Sequence, residues 1–436
     1  MAAAELVRSG VHDIRIIERG ASFGGTWYWN RYPGIACDVE SATYFPMLEE
    51  IGTVPSERYA NCAEIRSHAE AIARRFDLDA KAFFQTRVND LTWDEGTSRW
   101  IATTTRGDRI TAHHVALATG GLISKPKLPG VPGLMDFKGK WFHTSRWDYD
   151  YTGGDSFGGL TGLAGKRVAI IGTGATSLQV VPHLAEAAEY LYVVQRTPNA
   201  VDIRGNGPTD PDWFARQAPG WQTERMANFD SILAGIPQAE DLVGDQWTQI
   251  WGFPPLEMPE DGSAPDMDAY MQAIMANDLK QMERIRQRVD ELVDDPATAE
   301  ALKPWLATHC KRPGFHDSYL QTFNRANVTL VDTQGRGLDR ISDHASTSTT
   351  RPTRSTASST QLGSRQRSPP AARAASRCVA AAACSSRIAG RQARPTSMAS
   401  TLTVSPTSTS SAGSAAPQCR STSCTSTASR PSTSRP

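Results

Sequence analysis

Net charge is the first thing this sequence lacks: 46 Lys and Arg offset 46 Asp and Glu across its 436 residues. That balance leaves no electrostatic footprint for nucleic acid or an anionic membrane surface as partner. Long apolar runs are missing too, and nothing approaches the roughly 20 residues needed to span a bilayer. Cysteine is scarce, seven in all and without framework spacing, so a disulfide scaffold is excluded. With no signal peptide evident, a reducing, cytoplasmic setting is expected. No segment repeats.

Other absences are local. Residues 345–436 contain no aromatic, no Asp, Glu, Lys or His, and 12 Arg. The residues before them therefore carry 34 basic against 46 acidic side chains, an acidic balance ordinary for a soluble enzyme. A segment with so few large apolar groups cannot offset about 1–2 kcal/mol of chain entropy per ordered residue, so a disordered tail without packed structure is expected there.

The beginning lacks something as well. Ala2 to Val11 read as the end of a helix stopped by Gly10, and Ile14 to Glu18 as a strand ending in an acid. This is the second half of a βαβ unit whose terminal acid binds a ribose hydroxyl. The strand and glycine turn that should open the unit do not precede it, so an upstream start or a truncated gene is expected.

What is present is a second unit with every part in order. Val168 to Ile171 form a buried-strand run, Gly172-Thr173-Gly174-Ala175-Thr176-Ser177 a glycine turn, Leu178 to Ala187 a helix, and Leu191 to Val194 the next strand. Glycines at the first and third turn positions let backbone N–H groups approach a pyrophosphate at a helix start. Without a ligand the same string is a tight βα turn. The following strand ends Gln195-Arg196-Thr197 rather than in Asp or Glu, which favours the 2′-phosphate of NADPH over NADH. The bland alternative is a solvated Arg at a strand end.

Adjacent glycines in Gly24-Gly25-Thr26-Trp27-Tyr28-Trp29 permit close backbone approach, and the aromatic residues offer flat surfaces for a planar ring, or simply core packing. The apolar run Val115 to Ala118 reads as a strand before Thr119-Gly120-Gly121. From Asp212 to Trp305 the pattern turns helical, with Leu279, Met282, Ile285, Val289 and Leu292 on one amphipathic face. Asn327 to Asp332 returns as a strand.

One string identifies a family. Phe137, Gly139, His143, Trp147 and Asp148 fill every fixed position of F-x-G-x-x-x-H-x-x-x-W-[PD], just before the second glycine turn. The chain, over about residues 1–343, resembles the Baeyer–Villiger monooxygenases. Gly24 through Asp38 match that family's loop G-G-T-W-x-x-x-x-Y-P-G-x-x-x-D. Lys311 and Arg312 match its lysine and active arginine ahead of Tyr319 to Val328.

The resemblance implies an α/β fold with two Rossmann-like dinucleotide-binding domains, for FAD and NADPH, and a helical insertion. The FAD domain would span 1–150, the NADPH domain 163–210 and 306–344, the insertion 211–305, and the tail 345–436. By carry-over Glu18, Gly25, Thr26, Trp27, Tyr28, Trp29, Asp38 and Tyr44 would contact FAD, with Val88 near its adenine. Ala36, Cys37 and Asp38 would reach toward the nicotinamide. Gly172 through Ser177, Leu178, Gln179, Arg196, Thr197, Lys311 and Arg312 would hold NADPH.

In that family, NADPH and O₂ are used to insert one oxygen atom beside a ketone carbonyl, giving an ester or lactone. A permanently cationic Arg312, aimed by Asp38, would stabilise the developing oxyanion; the plain alternative is an ion pair. His143 is implied in domain motion rather than chemistry. An N- or S-oxygenating flavin monooxygenase and an inactive NADP(H)-binding remnant are the competing readings.

The tail departs from the family. Thr360 to Gln366 can be encoded so that reading from the last base of the Thr360 codon gives S-T-G-F-E-A, and Thr353 to Thr360 so that reading from the last base of the Pro352 codon gives H-P-V-D-C-V-V-Y. A strand and turn of that kind are what the fold needs, so a register slip near His344 is expected. A native basic linker is the alternative.

Overall fold

The computed structural model describes residues 1–120, 126–128, 130–251, 254, 256, 259, 264–308, 310–342 and 378–381. Its central feature is a parallel five-stranded sheet. In chain order the strands are β6 (Lys140–His143), β7 (Arg167–Ile171), β8 (Tyr190–Gln195), β11 (Val328–Asp332) and β12 (Cys378–Ala381). In space they run β11-β8-β7-β12-β6. Val168, Ile170, Leu191 and Val193 are fully buried, as expected for strands covered on both faces.

The remaining strands form small sheets. β1 (Ile16–Ile17) pairs in parallel with β2 (Ala82–Phe83), and β3 (Val88–Asp94), β4 (Arg99–Thr104) and β5 (Arg109–Ala112) make an antiparallel meander. Short β9 (Val201–Asp202) and β10 (Gly314–Phe315) pair in parallel, which places Arg312 beside the end of the β8 segment.

Three expectations need correction. Val115 to Ala118 form no strand; Val115 and Leu117 are exposed, because no neighbouring backbone among the described residues supplies a ladder. Gly121 lies outside the described residues. Leu279 is 59% exposed, although Met282, Ile285 and Val289 of the same Met267–Leu292 helix are buried and Leu292 packs against the core cluster that holds Val289. Only the C-terminal part of this long helix meets the core. Last, one four-residue stretch of the tail is not without backbone structure. Cys378–Ala381 fills the slot between β6 and β7, pairing with both. A strand four residues long meets that need through backbone hydrogen bonds, which the side-chain argument leaves out of account. The rest of the tail, including the proposed register slip, lies outside the described residues.

Helices of 211–305 dock on the loop that follows Gly34. Phe229, Val243, Trp247, Ile250, Met282 and Ile285 share one buried cluster with Cys37, Val39, Phe45 and Leu48. Polar contacts fix the register of this docking. Gln222 accepts from the Leu48 N–H at 2.9 Å and donates to the Ala42 and Phe45 carbonyls. Arg225 grips Glu40 through two parallel bonds of 2.7 and 2.8 Å, both side chains being nearly buried. Arg284 makes a two-point pair with the fully buried Asp202.

Removing one partner of a buried pair strands the other charge. Arg225→Ala leaves Glu40 with Arg58 at 3.8 Å as its nearest cation. Urea unfolding should show a loss of about 3–5 kcal/mol. A loss within 1 kcal/mol would mean that the docking does not depend on this pair.

Candidate functional site

The glycine turn after β7 is built as the sequence requires. Gly172 has φ +111°, a conformation that a Cβ would strain, and the helix that follows starts at Ala175 with Gly174 as its cap. Two bonds tie the turn to the next strand: the Gly172 N–H to the Val194 carbonyl, and the Thr173 hydroxyl to the Thr197 carbonyl, both at 2.9 Å. Thr173 is buried; Ala175 and Thr176 stay half-buried at the helix start, while Ser177, Leu178 and Gln179 face inward. Arg196 is exposed just beyond β8, with Thr197 half-buried beside it. The Lys311 ammonium bonds the Thr197 carbonyl at 2.9 Å, the Thr197 hydroxyl at 3.0 Å and the Pro198 carbonyl at 2.7 Å. Its donors are thus engaged by protein, and it contributes charge rather than a further N–H to this corner.

Across from the turn lies the aromatic loop. Gly24 and Gly25 have φ +120° and +51°, and Gly25 caps the one-turn helix Thr26–Trp29. The Trp27 indole N–H donates to the Tyr44 hydroxyl at 3.0 Å, with the two rings edge to face. Burial pushes the Tyr44 phenol well above its ordinary range, so it stays neutral. Tyr28 and Trp29 stack edge-on, Arg19 and Arg146 lie over Trp29, and Arg31 and Arg66 over Tyr28. Glu18 accepts from the Gly20 N–H at 2.5 Å. Val88 opens β3 on the exposed surface, two residues past Thr86, whose N–H donates to the Glu18 carbonyl.

Two connections join the halves. Gln179, in the helix after the glycine turn, accepts from the Tyr32 hydroxyl at 3.0 Å and donates to the Ala36 carbonyl at 2.9 Å. Gly34, φ +75°, is needed at this crossing, since a Cβ there would stand 2.5 Å from the Gln179 carbonyl. Burial raises the Tyr32 phenol to about 12, so it remains a donor. The second connection is ionic. One Arg312 nitrogen lies 2.9 and 2.8 Å from the two Asp38 oxygens. Asp38 is largely buried, whereas the Arg312 side chain is 43% exposed. Neighbouring Cys37 is buried, and desolvation pushes its thiol far up, so it is no nucleophile.

The fingerprint residues lie on and around β6, the edge strand whose His143 is level with Ile171 just before the glycine turn. Phe137 packs with Leu134, Ala169, Tyr192 and Ile341, and Gly139 directly precedes β6. His143 Nδ1 accepts from the Ser145 N–H at 3.1 Å, while its Nε2 is buried without a partner among the described residues. Burial, then Arg146, lowers its basicity. The Trp147 N–H donates to the Thr152 hydroxyl at 3.0 Å, and Asp148 pairs with Lys140 at 2.5 Å. None of these contacts reaches Asp38 or Arg312.

Sequence reading missed Trp247. Its indole N–H donates to the Asp38 carbonyl at 2.7 Å, and the Arg312 guanidinium lies 5.0 Å from its ring centre. No motif surrounds it; only a tryptophan amid a helical stretch could have drawn notice. Asp245 fixes its position, accepting from the Trp247 and Thr248 N–H groups at 2.9 and 3.1 Å.

A chain with two nucleotide-type loops meeting at a buried carboxylate and an arginine falls in the class of dinucleotide-binding flavin oxidoreductases. Residues 2–208 match the pyridine nucleotide-disulphide oxidoreductase family. Pentalenolactone D synthase of Streptomyces exfoliatus is 54% identical over 334 residues, covering 76% of this chain and 57% of that protein. A Baeyer–Villiger monooxygenase of Streptomyces coelicolor is 51% identical over 344 residues, covering 79% and 57%. Among solved structures, the polycyclic ketone monooxygenase of Thermothelomyces thermophila is similar with TM-score 0.75 and 38% identity, covering 87% of this chain and 60% of that one. Over the residues it shares with them, the chain is similar to Baeyer–Villiger monooxygenases. It spans little more than half the length of these curated relatives. No helix among the described residues is long and apolar enough to cross a membrane.

Desolvation, with the nearby Glu40 carboxylate, raises Asp245 to about 6. A raised carboxyl favours folding below the unfolded value and loses that contribution as pH climbs through about 6. Asp245→Asn keeps the acceptor for both N–H groups and removes the titration. Wild type should therefore lose up to about 3 kcal/mol relative to the Asn variant between pH 4 and pH 7 in urea unfolding. Parallel pH profiles for the two proteins would refute the assignment.

Proposed function

We propose that the chain carries the FAD- and NADPH-binding core of an oxygen-inserting monooxygenase acting on small-molecule ketones, with O₂ as co-substrate. The carrying observation is the Asp38–Arg312 contact, made where the aromatic loop meets the strand end that bears Arg196 and Thr197. The domain division read from the sequence, with FAD held by 1–150 and NADPH by 163–210 and 306–344, is part of this proposal.

The residues present fit both nucleotides. Ser177 Oγ and Asn199 Oδ1 are buried near the glycine turn without partners among the described residues, as expected of a cradle made for a polar group. The turn and helix start would hold the NADPH pyrophosphate, and Arg196 with the Lys311 charge its 2′-phosphate. Glu18 and the Gly24–Trp29 loop would hold FAD, with Asp38 and Tyr44 beside it. Reduced by NADPH, the flavin supplies the O₂ activation that no side chain can provide. Arg312 supplies a fixed positive charge where anionic oxygen develops, and Asp38 keeps it aimed while offsetting its desolvation. The residues on either side of Asp38, Cys37 and Val39, are anchored in an apolar cluster.

Two variants test this. Replacing Arg196 by Ala removes a charge-assisted contact worth roughly 1.5–3 kcal/mol, so NADPH affinity should fall about tenfold to a hundredfold while NADH affinity barely moves. Equal losses for both in a fluorescence titration would sink the phosphate assignment. With FAD, NADPH and a cyclic ketone under ¹⁸O₂, the chain should give ester carrying one labelled oxygen. Arg312→Ala should still bind both nucleotides yet form none, and Arg312→Lys should recover little, because an ammonium lacks the planar fork. Ester formation by the Ala variant at the parent rate would remove Arg312 from this role.

A further inference from the structure

Trp247 belongs to the helical segment, far in sequence from either nucleotide loop, yet both of its distinctive features are spent on one ion pair. The only polar atom of its side chain donates to the Asp38 carbonyl, and its ring lies under the Arg312 guanidinium. The ring is itself held. It is 9% exposed, sits edge-on to Phe315 at 5.0 Å, and its backbone N–H is bound by Asp245. Phe315 lies three residues after Arg312 in β10, so the same indole touches the segment that carries the arginine.

This matters because the Asp38–Arg312 pair gives the guanidinium its direction but does little to restrict its tilt. Arg312 is 43% exposed and grips Asp38 through a single nitrogen, and an ion pair that open to water fixes tilt only weakly. A flat ring beneath a flat cation restricts tilt, and a hydrogen bond to the backbone of the carboxylate residue restricts the other partner. A tryptophan serving only as core packing would need neither contact.

We propose that Trp247 is a positioning residue: it fixes Asp38 by its N–H and Arg312 by its ring, and thereby decides how much consumed NADPH yields inserted oxygen. The second half of that statement rests on the proposed function. When Arg312 is misaligned, the balance shifts to NADPH + H⁺ + O₂ → NADP⁺ + H₂O₂, with no oxygen passing to the ketone.

Two substitutions separate the contacts. Trp247→Phe removes the N–H and keeps a ring; Trp247→Leu removes both. Phenylglyoxal labelling of Arg312, read by peptide mass spectrometry against exposed Arg325 as internal reference, needs no turnover. The Arg312:Arg325 rate ratio should rise about threefold in the Phe variant and about tenfold in the Leu variant. In assays with ketone, the peroxide share of consumed NADPH should rise in the same order, while KM for NADPH changes less than about twofold. In an Asp38→Ala background, Trp247→Phe should add nothing. A merely structural role would lower the melting temperature and leave the labelling ratio unchanged; that result, or additive effects with Asp38→Ala, overturns the proposal. Should both variants misfold, the unaltered chain still decides: Arg312 side-chain protons must show upfield ring-current shifts, and their absence overturns it. A raised labelling ratio in a chain that makes no ester would retain the positioning role and reject the proposed function.

Discussion

Everything at the site depends on one buried amide. Gln179 stands in the helix launched by the glycine turn, and its side chain holds the opposing loop at two points, Tyr32 and Ala36. Gln179 itself is buried, where an unmade partner would cost about 1–3 kcal/mol, so the loop has little room to choose another position. Two residues past Ala36 comes Asp38. Its approach to Arg312 is thus a consequence of where Gln179 puts the loop, and Gly34 makes the approach sterically possible.

The second constraint comes from the insertion. Its helices share a core with Cys37, Val39, Phe45 and Leu48, so the segment bearing Asp38 is clamped between the nucleotide helix on one side and the insertion on the other. The polar contacts that register this docking, Gln222 on the chain around Ala42 to Leu48 and Arg225 on Glu40, lie close in sequence to the acid they support. A helical segment of this kind is more than a cover over the sheet. It packs directly against the segment that bears Asp38.

Much of this was legible in the sequence where the constraint is local. A turn that demands positive φ at Gly172, a strand that is an unbroken apolar run from Val168 to Ile171 and a helix beginning beside it can be read from neighbours alone. The Arg312–Asp38 contact was legible too, though only through a motif, because 274 positions separate its partners. What escaped depends on distant chain. Val115 to Ala118 have strand composition but find no ladder among the described residues. Leu279 keeps the helical period of Met282 and Ile285 but lies on a stretch that the core does not reach. Cys378–Ala381 enters the sheet through main-chain pairing, which composition cannot report. Trp247 escaped because its significance lies in what it faces, and periodicity carries no record of that.

Lys311 and Arg312 are adjacent, yet they bind opposite sides of the cleft: Lys311 the end of the β8 segment at Thr197 and Pro198, Arg312 the loop acid Asp38. One peptide bond, about 3.8 Å between Cα atoms, therefore separates the grip on the two walls. Such a splice has a thermodynamic corollary. Any group that binds at Thr197 and alters the set of Arg312 does so through a coupling free energy, and that coupling is symmetric. Whatever occupies the space before Arg312 must alter the affinity at Thr197 by the same factor. Equilibrium coupling of that kind would run through a single dipeptide.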